Sequence, residues 1–145
     1  MNLDQMLSCI EKNTGKSLDE LQVRMMNPLV LAYIGDTVYD LFVRTYLIYS
    51  YDIPVHQLHV KATAFVKAAA QSKTLHDIES SLTEDEIYIV KRGRNAKSGT
   101  IPRNADVTEY RWATGFESLL GYLYLLGKRE RICQIFDIIL GLHSD

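Results

Sequence analysis

Hydrophobic residues recur along most of the chain at spacings of three and four, the period of an amphipathic helix. Met6, Leu7 and Ile10 follow this spacing near the start. No segment alternates strictly between apolar and polar residues, as a half-buried strand would. The pattern predicts helices over residues 4–12, 28–49, 54–71, 72–81, 83–96, 108–126 and 130–140. We therefore predict an all-α helical bundle, with residues 1–145 forming one domain around a single core.

Residue chemistry marks two helix starts and one loop. Asn27 and Pro28 suit the N-cap and the first position of the long helix at 28–49. Thr83 and Glu86 form a capping-box sequence before the helix that runs towards residue 96. Segment 97–104 contains a glycine and a proline, so we expect a loop there.

The helix at 28–49 is apolar on nearly all sides, so most of its surface must be buried. One way to achieve this is for it to be the central core helix of a monomer. Alternatively, one face packs inside the subunit and another face packs against a second copy of the chain. Periodicity alone does not separate these two arrangements.

Two acids lie in apolar surroundings: Asp36 in the long helix, and Glu117 in a second, glycine-flanked helix. An ionised carboxylate in such a setting is costly unless it pairs with a base or binds a metal. Gly35 and Gly115 lack side chains, so the two helices could approach closely and bring these acids together. Oxygen ligands on paired helices suit Mg²⁺, which needs only one or two carboxylates.

A purely structural interpretation of the acids stays open at this point. Each acid could pair with an arginine such as Arg44 or Arg111, or cap a neighbouring helix. Asp40 follows Asp36 by four residues, so both can face one site and Asp40 is a further possible ligand. His56 and His59 are three residues apart, but no third ligand lies nearby to complete a transition-metal site.

The charge of the chain is unevenly distributed. The formal net charge is −2, yet residues 91–111 carry six bases against two acids. One positive segment on an otherwise acidic protein indicates a localised anion-binding surface. A solvated surface segment is the ordinary alternative for a short basic run. The bases we expect to bind the anion are Arg92, Arg94, Lys97 and Arg103.

Cysteine usage and hydropathy favour a cytoplasmic protein. Cys9 and Cys133 lie far apart and form no CxxC pair, so we expect buried or half-buried thiols of a reducing compartment. The apolar stretch at 28–49 is interrupted by Asp36, Asp40 and Arg44, which a bilayer would penalise. The amino end has no apolar run typical of a signal peptide, so we expect neither secretion nor a membrane anchor.

Two motifs together resemble the ribonuclease III family. Leu31 to Tyr39, with the sequence LAYIGDTVY, resembles the signature helix of that family. Thr114 to Gly121, with the sequence TGFESLLG, resembles its second acidic motif. The intervening sequence KRGRNAKS at 91–98 and the short length are similar to the bacterial Mini-ribonuclease III group, which consists of the catalytic domain without an RNA-binding domain.

The resemblance implies an all-α homodimer with the signature helices at its interface. It also implies hydrolysis of double-stranded RNA that depends on Mg²⁺, with Mn²⁺ as a substitute, and a role in maturing 23S ribosomal RNA precursor ends. Asp36 and Glu117 match the indispensable acids and would hold the metal. The chain departs from full-size relatives at Ala32 and Thr114, where they carry further acids, which leaves the number of metals open.

Two interpretations from other classes remain at this stage. One is a non-catalytic helical dimer that binds structured RNA. The other is a helical protein-interaction module, for which the basic segment would be incidental. Asp36 and Glu117 speak against the first, because a protein that only binds RNA has no reason to keep such costly charges.

Overall fold

The computed structural model describes residues 2–97 and 101–143. All regular elements within these two ranges are helical, which confirms the predicted all-α class. A 3₁₀ turn at Glu79–Ser81 follows α5, and the helices are α1 Leu3–Thr14, α2 Glu20–Arg24, α3 Pro28–Ser50, α4 Val55–Val66, α5 Ala68–Ile78, α6 Glu84–Asn95, α7 Val107–Leu125 and α8 Arg129–His143. No helix in the described ranges is long and apolar enough to span a bilayer.

The pair α3 and α7 forms the centre of the fold, with the other helices packed around it. Asn27 caps α3 as expected, because its side chain accepts a hydrogen bond from the Leu29 amide. Asp106 caps α7 by accepting from the Glu109 amide at 3.0 Å. The core combines buried aromatic and aliphatic side chains, including Tyr39 and Phe116, whose rings meet edge to face with centroids 4.8 Å apart.

Glycines let α3 and α7 touch backbone to backbone. A Cβ atom at Gly35 would overlap the carbonyl oxygen of Glu117 and lie 2.8 Å from the amide nitrogen of Gly121. A Cβ atom at Gly121 would in turn overlap the carbonyl oxygen of Leu31. Since a side chain at either position would force the helices apart, this crossing requires glycine on both helices.

Gly115 has a different partner from the one expected. It faces α6, where its Cβ would lie 2.7 Å from the carbonyl oxygen of Val90. On α6, a Cβ at Gly93 would lie 2.9 Å from the Cα of Gly115. The prediction that Gly115 brings α7 against α3 is therefore wrong. Gly121 has that role, and Gly115 brings α7 against α6.

Ser118 joins the helices near this crossing. Its hydroxyl lies 2.9 Å from the carbonyl oxygen of Pro28 at the start of α3 and 2.8 Å from that of Thr114. The side chain is completely buried, and a Cβ at Gly93 of α6 would lie 2.5 Å from its oxygen. Three helices thus meet at one small polar residue.

Two helix boundaries differ from the expectation. The break predicted after residue 71 occurs at Lys67, whose extended backbone separates α4 from α5. The Gln71 side-chain amide donates to the carbonyl of Val66 at 2.9 Å and so replaces a lost helical hydrogen bond. The short helix α2 was missed, although Asp19 and Gln22 form a capping box at its start.

A buried ion pair attaches α8 to the start of α6. Both oxygens of Glu86 accept hydrogen bonds of 2.8 Å from the Arg131 guanidinium. One of them also accepts from the Thr83 amide, which completes the capping box predicted at 83–86. Burial acts to raise the pKa of Glu86, but the bonds from Arg131 and Thr83 outweigh it, so this pKa is lowered.

Candidate active site

The α3–α7 crossing places Asp36 beside Glu117. Asp36 follows Gly35, the residue that touches the Glu117 backbone, and its carboxyl is close enough to that of Glu117 to raise the pKa of Glu117. Asp36 is exposed, whereas Glu117 is half-buried. The structure therefore brings together the two acids that the sequence singled out, at a place open to solvent from one side.

The pKa of Glu117 is raised to about 9. Burial of its carboxyl is the largest cause, followed by the hydrogen bond with Asp36 and by the charge of Asp36. Two carboxyl groups so close together cannot both be ionised cheaply, so Glu117 keeps its proton at neutral pH. A divalent cation between them would replace that proton and remove the repulsion.

The described bases leave this pair without a counter-charge. Asp36 and Glu117 form no ion pair with any described arginine, lysine or histidine. Arg44, a candidate partner, instead pairs with Asp40 at 3.0 Å on the surface of α3. The interpretation of the two acids as members of structural ion pairs is therefore wrong for the described residues.

The oxygen donors present fit a hard cation such as Mg²⁺, which retains several waters and needs one or two carboxylates. No group of three or more acids, histidines or cysteines lies together within residues 2–97 and 101–143. His56 and His59 accordingly belong to no metal-binding cluster there. Any metal at this site would rest on Asp36 and Glu117 and on water.

The two positions that lack acids are filled differently. Ala32 is buried against the core, one turn before Asp36. Thr114 is also buried, and its hydroxyl donates to the carbonyl of Tyr110 at 2.9 Å. Because that hydrogen bond uses the hydroxyl proton, Thr114 can offer only an oxygen lone pair to another group.

The four bases expected to bind RNA do not lie in equivalent places. Arg92 is half-buried, and its guanidinium donates to the carbonyls of Arg24 and Met26 at 2.6 and 3.1 Å. It thereby ties α6 to the end of α2. The Nη1 atom of Arg92 is therefore already engaged in hydrogen bonds within the fold.

Arg94 lies against the start of α7. Its guanidinium carbon is 4.9 Å above the ring of Trp112, and its Nε donates to the Asn95 side chain at 3.0 Å. Lys97 and Arg103 are exposed, and neither side chain forms a hydrogen bond or an ion pair with another described residue. Arg94 is therefore held in place, while Lys97 and Arg103 are available to a ligand.

A cavity of about 340 Å³ lies between the end of α6 and the first half of α7. Thr114 lines it and lies one helical turn before Glu117. Two bases, Lys97 and Arg111, also line it. Arg111 had been considered only as a partner for an acid, although its spacing of three residues before Thr114 on a helix was a usable signal.

Comparisons with known proteins agree on one family. The family model for the ribonuclease III domain matches residues 29–128. A Mini-ribonuclease 3 of Clostridium tetani is 48% identical over 132 residues, which cover 90% of this chain and 87% of that protein. One from Brevibacillus brevis is 50% identical over 111 residues, covering 77% and 83%. A crystal structure of a protein from Fusobacterium nucleatum, 34% identical, matches 84% of this chain and 98% of its own with a TM-score of 0.75.

Proposed function

Because this chain belongs to the ribonuclease III family and is an endoribonuclease that cleaves double-stranded RNA, we propose that Asp36 and Glu117 are its catalytic acids. This assignment rests on the contact between the two acids where Gly35 brings α3 against α7. No described base neutralises them. Pairing two carboxyl groups this way destabilises the fold, and a metal-binding role gives a reason for it.

The metal in this proposal is Mg²⁺, with Mn²⁺ as a substitute. A divalent cation bound there supplies Lewis-acid polarisation of a phosphate oxygen and activates a water for attack on phosphorus. The chain contributes two ligands on neighbouring helices, because the missing side chain at Gly35 allows α3 and α7 to pack backbone to backbone. Glu117 must also release its proton to the solvent before it can bind, so binding is coupled to pH.

Duplex RNA would lie across the basic side of this site. A-form RNA hides its major-groove base edges, so a protein recognises it by shape, phosphates and 2′-hydroxyls. We assign the phosphate contacts to Arg94, Lys97 and Arg103, and we leave out Arg92 because its guanidinium binds backbone carbonyls.

A homodimer through α3 completes the proposal. This helix exposes large apolar side chains, with Tyr33 80% and Leu41 54% exposed. An apolar groove of about 410 Å³ adjoins it and is lined by Leu41, Phe42 and Phe136 among others. Contiguous apolar surface of this kind is typical of interfaces between permanently associated subunits. Two catalytic sites in one dimer would cut the two RNA strands at a stagger.

Ribosomal RNA precursors, including the ends of 23S precursor RNA, are the substrate class we propose. Cys9 and Cys133 are both exposed, so the prediction that they are buried or half-buried is wrong. Both are free thiols, which fits a reducing compartment. We accordingly place the reaction in the cytoplasm, where such precursors are processed.

The proposed function is tested with a long RNA duplex incubated with the protein, with and without Mg²⁺. We expect cleavage only when the metal is present. Binding without cleavage would favour the non-catalytic RNA-binding dimer, and neither binding nor cleavage would favour a protein-interaction module. Single-stranded RNA of the same sequence is the control for substrate class.

A further inference from the structure

The cavity that Thr114 lines has a chemistry that fits an anion. Its lining contains Lys97, Arg111, the hydroxyl-bearing Tyr110 and Thr114, the apolar Ile101, and the small residues Gly93 and Ala96, and it contains no acid among the described residues. Lys97 comes from the end of α6, whereas Arg111 comes from α7, so two elements converge on the same space. The close α6–α7 packing at Gly93 and Gly115 fixes the distance between those elements.

These two bases differ from half of the eight arginines of the protein. Arg24, Arg44, Arg129 and Arg131 each pair with an acid. Lys97 and Arg111 form no ion pair or side-chain hydrogen bond with a described residue. Two unneutralised positive charges at one cavity repel each other, and a bound anion removes that repulsion.

We propose that Lys97 and Arg111 bind the phosphodiester group next to the scissile one, on the same RNA strand. The inference rests on the proposed function, because it takes the scissile phosphate to lie at Asp36 and Glu117. Thr114 lines the cavity three residues before Glu117, a rise of about 4.5 Å along α7. An anion in the cavity is therefore a close neighbour of an anion at the two acids.

The two bases suit this ligand in complementary ways. A guanidinium presents a planar fork that can bind two phosphate oxygens at once. The lysine ammonium adds a point charge on a flexible stem that reaches from the opposite wall. A neighbouring phosphate bound by both Lys97 and Arg111 would fix the position of the scissile phosphate. This matters because the two acids alone offer few contacts to position it.

The first test uses Arg111→Gln and Lys97→Gln in steady-state cleavage of a synthetic duplex whose cut position has been mapped. We expect each variant to raise KM about tenfold, the scale of one charge-assisted hydrogen bond. The log–log salt slope of duplex binding should fall by about 0.9 per lost base on the DNA-derived scale. Arg111→Lys should recover part of the loss, because it retains the charge without the fork.

Matched controls lie beyond the opposite end of the 19-residue helix α7. Lys128→Gln and Arg129→Gln remove the same charges there, and Arg129 pairs with Asp4 far from the cavity. We expect both controls to keep the wild-type KM and salt slope. If Arg111→Gln and Lys97→Gln also keep them while the wild type cleaves, the inference and the phosphate contact of Lys97 are overturned, whereas the assignment of Asp36 and Glu117 as catalytic acids stands.

The second test uses the wild-type protein and single methylphosphonate substitutions, which remove the charge of one phosphate at a time. We expect the phosphate adjacent to the mapped cut to be sensitive, and this sensitivity to disappear in Arg111→Gln. Duplexes with 5′-hydroxyl and 5′-phosphate ends should behave alike. If the adjacent phosphate is insensitive, or a terminal phosphate carries the effect, the cavity does not bind the neighbouring phosphodiester.

Discussion

Gly35 lies against Gly121 so closely that a methyl group at position 35 would be 2.8 Å from the Gly121 amide nitrogen and would overlap the Glu117 carbonyl. The same contact places Asp36, the next residue on α3, at the side chain of Glu117. Packing and chemistry therefore depend on one glycine. A change there tests both together.

Gly35→Ala should destabilise the protein by about 3 kcal/mol, because the backbone must move to admit the methyl group. This value lies at the upper end of the usual cost of substitutions that overpack a core. The acid pair should separate, so cleavage should be lost even at temperatures where the variant is folded. Gly141→Ala is the control, since a Cβ at Gly141 in α8 meets nothing within 4 Å. Urea denaturation and duplex cleavage are the measurements, and equal stability of the two variants would contradict the close crossing.

Asp36→Asn and Glu117→Gln should each abolish Mg²⁺-dependent cleavage while duplex binding is retained, because both acids are assigned to the metal. Asp40→Asn is the matched control on the same helix, where Asp40 pairs only with Arg44 at the surface. We expect this control to keep activity close to wild type, since such pairs contribute little. Gel shift assays measure duplex binding, and cleavage assays measure activity. Near-normal cleavage by either acid variant would contradict the catalytic role of that residue.

The raised pKa of Glu117 makes stability depend on pH in a definite direction. Its carboxyl has a pKa of about 9 in the folded protein, against an ordinary value of 4.5. Since the folded state holds this proton more tightly than the unfolded state, the contribution to stability is full below the ordinary value. It is then lost as pH rises towards the folded value. Glu117→Gln removes this dependence.

We therefore expect Glu117→Gln to have a higher Tm than the wild type at about pH 8 without divalent metal, and a smaller advantage at about pH 5. Added Mg²⁺ should raise the Tm of the wild type more than that of the variant, and should release a proton on binding. Calorimetric melting across pH is the measurement. A Tm difference that does not vary with pH would show that Glu117 is already ionised in the fold.

Leu41→Glu should weaken dimerisation and leave the subunit fold largely intact, because Leu41 is 54% exposed on the proposed interface. Phe42→Glu should also destabilise the subunit, since the Phe42 ring stacks on that of Phe136 with centroids 3.6 Å apart. Val60→Glu, at an exposed site on α4, is the control. Sedimentation equilibrium separates the cases, and a monomeric wild type at micromolar concentration would refute the dimer.

Thr114→Asp should tighten Mg²⁺ or Mn²⁺ binding, because it places a third carboxylate one turn from Glu117. The hydrogen bond from Thr114 to the Tyr110 carbonyl is lost in this variant, at a cost of about 1 kcal/mol. Faster turnover need not follow, since a more firmly held metal can sit in the wrong place for the phosphate. Titration calorimetry of metal into both proteins without RNA is the measurement, and equal affinity would mean that position 114 does not face the metal.

Helix positions were largely predictable because their signals are local. The capping box at Thr83 and Glu86 and the Asn27-Pro28 start of α3 act within one turn of chain, and the structure contains both. The break at Lys67 was missed because no glycine or proline marks it. Its stabilising partner, the Gln71 side chain, looks like any other polar residue in the sequence.

The candidate site was predictable in part for a related reason. An acid in an apolar helix is conspicuous by itself, which singled out Asp36 and Glu117. The contacts of each glycine depend on how α3, α6 and α7 are rotated about their axes relative to one another. The spacing of residues in the sequence does not predict these rotations. This is why Gly115 was given the role of Gly121, and why Arg92 could not be separated from Arg94 by charge alone.

The hydroxyl of Ser118 has a consequence for sliding motions. Glycine surfaces are smooth, so the contact at Gly35 sets the spacing of α3 and α7 but resists translation along their axes only weakly. The Ser118 hydroxyl has a single proton, which it can donate to the carbonyl of Pro28 or to that of Thr114. The contact with Pro28 joins α7 to α3 and resists sliding of one helix along the other. Without this hydrogen bond, a shift of α7 along α3 by one helical turn, about 5.4 Å, would carry Asp36 past Glu117. Longitudinal register at the acids is thus set by a residue that touches neither of their carboxyl groups.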